Sequence, residues 1–340
     1  MSLALLVKGS RGPLMGMDKG TFATKLVQVT KKRAPFSILK SELVIASEPD
    51  TLSRLKRTVD RLKEQKRHTC MSISDGEVEM HEFRLPRLPE GELANAIDWE
   101  LRKIVPELDG YVYDTIIWPQ TEDQLVQCFV VPEQRVRTAH DEISTIGLTP
   151  SILETESSSL CALVKILSPH IPLDRISIID LGYSSYRLIY IHEGRVVLTR
   201  PLYFGVASLY RQFSLEARME PAEVHSFVLQ MEQCAPENYN SSQSQLLRLF
   251  QESLYTLCEE FHRTEQFLKE QKAFEPAQKI YLAGGGACIP PALEYMRQHL
   301  IEDIELLNPF RDFSQMPHGV PSQSGSVWAC AVGLSLREGE

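Results

Sequence analysis

Between Ile178 and Val197 the chain reads IIDLGYSSYRLIYIHEGRVV, and few backbone arrangements satisfy that order of residues. An apolar run ends on Asp180; Gly182, Ser184 and Ser185 follow, and a second apolar run returns. A turn carrying Glu193 and Gly194 leads into a third run, RVVLTR. This is the pattern of a strand, a tight turn and returning strands. Gly182 has no Cβ, so backbone N–H groups there can approach an anion closely, and the neighbouring hydroxyls can donate to it. Asp180 would repel a bare phosphate, but it suits a hydrated Mg²⁺ carried in by a polyphosphate.

A second copy stands at domain-scale spacing, which makes the pair an internal repeat. Leu14 to Val29 reads LMGMDKGTFATKLVQV, with Asp18, Gly20 and Thr21 where the later copy has Asp180, Gly182 and a small residue. Lys19 lies inside this turn, where a phosphate would welcome its charge. A third element, KIYLAGGGACIP at 279–290, runs a strand into Gly284, Gly285, Gly286 and Ala287, with a helix expected after Pro290. Such a loop offers side-chain-free backbone to a base or ribose and a helix N-terminus to anions.

Two Asp-x-Gly hairpins followed by a strand, a Gly-Gly-Gly-Ala loop and a helix resemble the phosphate 1, phosphate 2 and adenosine motifs of the actin-like ATPase superfamily. Residues 85–106, LPRLPEGELANAIDWELRKIVP, narrow the resemblance to the PilM family of pilus-assembly proteins, as do IGLTPSILETESSSLCAL, NPFRDF and WACAVGLSLRE in order. The resemblance covers almost the whole chain. It implies an α/β, actin-like (ribonuclease H-like) two-lobed fold with an inserted subdomain of the 1C type seen in PilM and its relative FtsA. The expected division gives the first lobe 1–85, 148–172 and 322–340, the insertion 86–147 and the second lobe 173–321.

The same resemblance implies ATP and Mg²⁺ as cofactors. ATP would be cradled by Asp18, Lys19, Gly20 and Thr21, by Asp180, Gly182, Tyr183, Ser184 and Ser185, and by Gly284, Gly285, Gly286 and Ala287. Asp18 and Asp180 would face the metal. Glu156 falls on an acidic position of the family motif. It reads either as the carboxylate that orients water near the γ-phosphate or as an acid favoured by a helix N-terminus. Departures stand in the second turn. Tyr186 and Arg187 occupy positions where relatives carry threonines, Tyr183 stands where small residues are usual, and Ser226 replaces a lysine of the helical motif that includes Glu223. Arg187 either neutralises a phosphate or fills the pocket in place of the nucleotide's charge. Phosphoryl transfer depends on placed charges and a placed water, so such departures lower the rate first and at most slow ATP turnover is expected.

Three functional classes follow. The first is an adaptor under the inner-membrane platform of a type IV pilus. PilM-like proteins bind the cytoplasmic tail of a PilN-like bitopic protein in a groove between subdomains 1A and 1C, here near Ala96, Trp99 and Lys103, and pack in rings that serve a pilus or secretion ATPase indirectly. A GspL-like component of a type II secretion system, with a GspL/GspM-like partner, is the variant of this reading. The second is a sugar kinase, which shares the three motifs but needs an acceptor loop with an Asp base; no spare Asp stands near the motifs in such a loop. The third is an FtsA-like filament protein, which adds a C-terminal amphipathic membrane helix; this chain stops at LREGE.

Bulk properties agree with a cytoplasmic protein peripheral to the membrane. With 340 residues, 43% of them hydrophobic, the chain can fill one large core or two. A net charge of -9 argues against nucleic acid as the main partner. No apolar run reaches membrane-spanning length, and Leu3 to Val7 is too short for a signal-peptide core. The seven cysteines are scattered with no Cys-x-x-Cys, and the nine histidines show no metal spacing.

In chain order, strands are expected on both sides of Asp18 and at 36–47, then a helix over 49–67 with Leu52, Leu55, Val59 and Leu62 as its apolar stripe. Its other faces carry Arg54, Lys56, Arg57 and Arg61, either as a solvated surface or as an attraction to anionic lipid. A strand pair over 68–85 turns at Asp75 and Gly76. Helices follow at 91–105 and 131–146, then a return strand and helix over 149–166, a polar loop at 238–243, a long helix at 244–271 and a closing helix at 325–337. The 91–105 helix is apolar nearly all round, so Trp99 either fills the small core of the insertion or lies on a docking surface.

Overall fold

The structure is a computed structural model that describes residues 14–29, 37–46, 50–62, 67–231, 238–272, 275–312 and 322–337. The first half contains β1 (Met15–Lys19), β2 (Ala23–Val29), β3 (Ile38–Ile45), α1 (Thr51–Asp60), β4 (His68–Ile73), β5 (Glu79–Pro86), α2 (Glu90–Ile104), β6 (Tyr111–Pro119), β7 (Asp123–Pro132), α3 (Glu133–Thr145), β8 (Thr149–Thr155) and α4 (Glu156–Leu167). The second contains β9 (Ile176–Leu181), β10 (Tyr186–His192), β11 (Arg195–Leu202), α5 (Val206–Ala217), α6 (Pro221–Met231), α7 (Ser241–Lys272), β12 (Lys279–Ala283), α8 (Ala292–His299), β13 (Asp303–Leu306) and α9 (Ala329–Ser335).

The repeat expected from the two turns is a repeat of whole sheets. One sheet runs β3-β2-β1-β4-β8 and the other β11-β10-β9-β12-β13. In each, the two strands around an Asp-x-Gly turn pair antiparallel, and the first of them also pairs parallel with a later strand. The returning strands are apolar on both sides because both faces are covered. Between the sheets lie α4 and α9. Leu160, Leu163, Val164, Ala331 and Val332 pack against Val27 and Val29 of one sheet and Ile178, Ile189 and Tyr281 of the other. The outer face of the first sheet is covered by α1 and α3 through Leu55, Val59, Val136 and Ile143. That of the second is covered by α5 to α8, with Phe213, Val228, Leu254, Phe261 and Met296. Two glycines set the closest approaches: a Cβ on Gly16 would fall on the Ala331 carbonyl, and one on Gly333 on the Ser159 carbonyl. Strand β1, α9 and α4 therefore stack backbone on backbone, which brings the N-terminus of α4 up beside the first turn.

Several sequence expectations are corrected. Residues 68–85 do not form a hairpin: β4 pairs with β1 and β8, while β5 pairs with β7 in a separate sheet ordered β5-β7-β6. The inserted sheet therefore begins at Glu79, inside the stretch assigned to the first lobe, and α3, assigned to the insertion, covers the first lobe's sheet. Helix α1 is shorter than 49–67, with residues 63–66 outside those described, and its Leu52 is exposed whereas Thr58 joins Leu55 and Val59 underneath. Arg54 is bound to Glu42 at 2.9 Å, while Lys56, Arg57 and Arg61 stay exposed. Helix α7 starts at Ser241, within the expected loop, and its Phe267 is exposed. The closing segment enters as a 3-10 helix over Ser322–Trp328 before α9 begins. No helix among the described residues is long and apolar enough to cross a membrane.

Candidate functional site

The two turns face one another across the interior end of the sheets. Register places a cation opposite each acid: Asp18 lies across from Lys25, and Asp180 across from Arg187. Lys25 Nζ reaches Asp18 Oδ2 at 2.6 Å. Burial works against the charged ammonium, but Asp18 outweighs it and the Lys25 pKa is raised. Arg187 reaches Asp180 with Nε at 3.1 Å and with Nη2. Its Nη1 turns to the first lobe, to Asp75 at 3.4 Å and to Glu156. Asp75 is itself held by the backbone N–H of Ser157, at 3.3 Å, and by its hydroxyl. One guanidinium on β10 thus binds three carboxylates from both lobes.

Four largely buried carboxylates are served by two cations. Burial raises the pKa of Asp75, with Arg187 and Ser157 pulling the other way. Burial pushes the Asp180 carboxyl up to about 7, and Asp18 across the cleft adds to the rise while Lys25 opposes it. A net excess of negative charge among largely buried groups is a setting that favours an additional cation.

Glycine shapes the cradle around these charges. A Cβ on Gly182 would come within 2.5 Å of the Ser185 carbonyl oxygen, so this tight turn needs glycine. Gly284 has φ +83, and a Cβ there would fall on the Asp180 carboxylate. Gly285 meets nothing within 4 Å and opens toward the cleft. The carbonyls of Gly182 and Tyr183 accept from Val206 N and Ala207 N at 3.2 and 2.8 Å, fastening the second turn to the first residues of α5.

These elements enclose a cleft of about 350 Å³. It is lined by Asp18, Lys19, Gly20 and Thr21 of the first turn, by Asp180, Gly182, Tyr183, Ser184 and Ser185 of the second, by Gly284, Gly285 and Gly286, and by Glu156. Ala287 is the exception: its side chain is buried in the core beneath the loop. Lys19 points outward enough to bind Glu142 at 2.7 Å. Residues not singled out from the sequence also line the cleft, namely Phe22, Lys25, Ser74, Tyr210, His225, Cys288, Ser326 and Cys330. Phe22, from the first turn, meets Tyr183 at a tilt and His225 edge-on, each with centroids 4.8 Å apart, forming an aromatic wall between the lobes. Burial lowers the pKa of His225, which favours its neutral ring there. The donor set suits a nucleotide with a hydrated divalent cation: two facing carboxylates, Lys25 behind one of them, and a glycine cradle.

The second expected surface lies on α2. Ile97 and Leu101 pack on Leu85, Val126, Cys128 and Val130 of the inserted sheet. Trp99 does not fill that core; it is 61% exposed, with Lys103 Nζ 3.1 Å from its ring centroid. Ala96 is half-buried beside it and Ile104 is exposed. A cation over an indole face stabilises the exposed ring by about 0.5–1 kcal/mol and holds it in one orientation.

Comparison with known proteins places this geometry. A solved structure titled "PilM-PilN type IV pilus biogenesis complex" is similar over 96% of this chain and 98% of that one, at 18% identity and a TM-score of 0.78. The ethanolamine utilization protein EutJ from Carboxydothermus hydrogenoformans is similar over 97% of this chain and 92% of that one, at 12% identity and a TM-score of 0.53. At such identities the likeness concerns the fold, and it fits the doubled sheet and central cleft. The sequence model of the family described as type IV pilus assembly protein PilM matches residues 16–339, from the first turn to the closing helix, and the chain therefore belongs to the PilM family.

Proposed function

We propose that this chain is a nucleotide-binding adaptor of a type IV pilus assembly platform, peripheral to the inner membrane, that holds the cytoplasmic tail of a PilN-like bitopic protein. The observation that carries the reading is the exposed Trp99 with Lys103 over its ring, on a helix whose other face is used by the inserted sheet. An exposed, oriented aromatic is a natural anchor for an extended or helical peptide, and Lys103, itself bound to Glu100 Oε1 at 2.8 Å, holds the ring in place for it. Membership of the PilM family and the likeness to a PilM–PilN complex support the choice of partner.

The test is capture of a PilN-like tail peptide by the full chain, read by fluorescence anisotropy. Point variants are preferable to deletion of 86–147, because deletion would strip α3 from the first lobe's core and leave β5 unpaired. Trp99→Ala is expected to weaken capture about tenfold or more, as loss of a hot-spot aromatic does. Lys103→Ala is expected to weaken it less. Equal capture by all three chains would remove α2 from the docking surface.

In the cleft, Asp18 and Asp180 would face the Mg²⁺, Lys25 the phosphates, and the 284–286 loop the nucleoside. Bound Mg²⁺ would supply charge neutralisation for the polyphosphate. Glu156 lies in the Arg187 ion pair and is not free to orient water. ATP turnover is therefore expected far below the roughly 1 per second of ordinary enzymes. A steady-state phosphate-release assay checks this; fast turnover that is abolished in Glu156→Gln would show that Arg187 yields the carboxylate during reaction.

A further inference from the structure

The strand that carries Arg187 also grips the inserted unit at its other end. The β10–β11 hairpin pairs from Tyr186 with Leu202 to His192 with Arg195, closing at Glu193 and Gly194, both with positive φ. Beside that closed end, Arg195 Nη1 binds Glu82 of β5 at 3.0 Å. Next to it, the amide of Gln127 on β7, itself buried, donates to the Val196 carbonyl at 2.8 Å and to Glu82 at 3.0 Å. At the cleft end, Arg187 holds Asp75, which stands in the short turn leading directly into β5. The same turn is tied to α3 by Glu77 and Arg135 at 2.6 Å.

Strand β5 is thus fixed to one hairpin of the second lobe both before its start and at its middle. The hairpin is buried on both faces, with Leu188 and Tyr190 on one side and Ile189 and Ile191 on the other, and its pairing runs from one end to the other with a single register shift between Tyr190 and Ile191.

We propose that the β10–β11 hairpin couples the cleft to the inserted unit, with Arg187 as the positioning residue at one end and Arg195, with the buried Gln127, at the other. An anion entering the cleft competes with Asp75 and Glu156 for the guanidinium. Asp75 then keeps its bonds to Ser157 but loses its tie to the second lobe, which loosens the entry to β5, and the sheet that supports α2 and Trp99 shifts with it. Conversely, a ligand that braces the inserted sheet holds Asp75 and Glu156 in place for Arg187. Because coupling free energies are reciprocal, each end biases the other equally. The use of this coupling rests on the proposed function, but its existence does not.

Hydrogen exchange of the full chain, without nucleotide or tail, tests it. Arg195→Ala removes a partly exposed ion pair, so the chain still folds, and far-UV circular dichroism checks that. Exchange is expected to rise about tenfold not only at the junction but also at residues 75–77 and 182–187, a sub-global opening of the cleft end. Arg195→Lys should restore most of the protection. Arg84→Ala, which removes a surface pair with Asp123 on the same inserted sheet, should leave the cleft end unchanged. Changes confined to 79–86, 123–132 and 193–197 in Arg195→Ala would overturn the coupling and leave the adaptor reading intact. Addition of ADP or MgATP as probe to the wild-type chain should alter exchange in 79–86; bound nucleotide with no change there would also overturn it.

Discussion

Arg187→Ala is expected to lower the stability of this chain by about 3–5 kcal/mol, the range for stripping one partner from a buried ion pair. The guanidinium is the shared counter-charge of Asp75, Glu156 and Asp180, which come from the turn after β4, the first residue of α4 and β9. Without it, three largely buried carboxylates face one another with Lys25 as the remaining cation, and Lys25 is already engaged by Asp18. The destabilisation should depend on pH in a definite direction. Burial raises the folded pKa of Asp75 and of Asp180, and removing Arg187 takes away a charge that holds Asp75 down. A carboxyl with a raised folded pKa binds more protons in the native than in the unfolded state, so stability falls as pH rises from about 4 through the folded pKa. The variant should therefore be penalised most at about pH 8 and least near pH 5, where the orphaned carboxyls take up protons. Urea melts across that range measure it. Adding Glu156→Gln to the variant should recover part of the stability. A destabilisation under about 1 kcal/mol with no pH dependence would mean that the guanidinium leaves the cluster in solution and that the carboxylates are hydrated there.

The features legible in the sequence are those set by local chemistry. A strand, an Asp-x-Gly turn and a returning strand demand little beyond neighbouring residues, so both turns and the glycine loop can be anticipated. Most of the cleft lining follows, because a turn residue that needs glycine has few other places to be. What stays hidden depends on pairing at a distance. Lys25 and Arg187 are site residues by cross-strand register, each facing the aspartate of its own hairpin. That register can be counted from the turn, yet only Arg187 stands out in the sequence, as a departure. The carboxylate partners of Arg187 come from distant segments and leave no local trace. Strand β5 is easily given to the wrong sheet because Asp75 and Gly76 look like a hairpin turn, whereas the pairing with β7 is settled by alternating apolar faces far along the chain. Ala287 reads as lining because it ends a glycine run; its methyl points under the loop. Trp99 is ambiguous for a general reason. A helix apolar nearly all round does not say which arc meets its sheet, and here Ile97 and Leu101 take that place.

The other large expected effect is a rise in thermal stability on adding MgATP. A ligand that binds only the folded chain stabilises it by RT ln(1 + [L]/Kd), about 2.7 kcal/mol at a concentration one hundred times Kd. Replacing the Mg²⁺ by a chelator should remove most of the gain, because a bare polyphosphate would then meet the carboxylates of Asp18, Glu156 and Asp180 that line the cleft. Asp180→Asn is the informative variant. It keeps the shape that Gly284 accommodates and leaves Arg187 bound to Asp75 and Glu156, while removing one of the two carboxylates that face the metal. It should reduce the shift sharply, by about 2 kcal/mol at equal ligand, the scale of one charge-assisted interaction in a buried site. The control belongs away from both the cleft and the β10–β11 hairpin, and Arg84→Ala, which removes a surface pair with Asp123, serves. Calorimetry on the same three chains separates affinity from stability. No shift and no heat at millimolar MgATP in the wild-type chain would mean that Lys25 and Arg187 neutralise the cleft without a nucleotide. The fold would then serve as a scaffold for the inserted unit, and Arg187 as its permanent tie between the lobes.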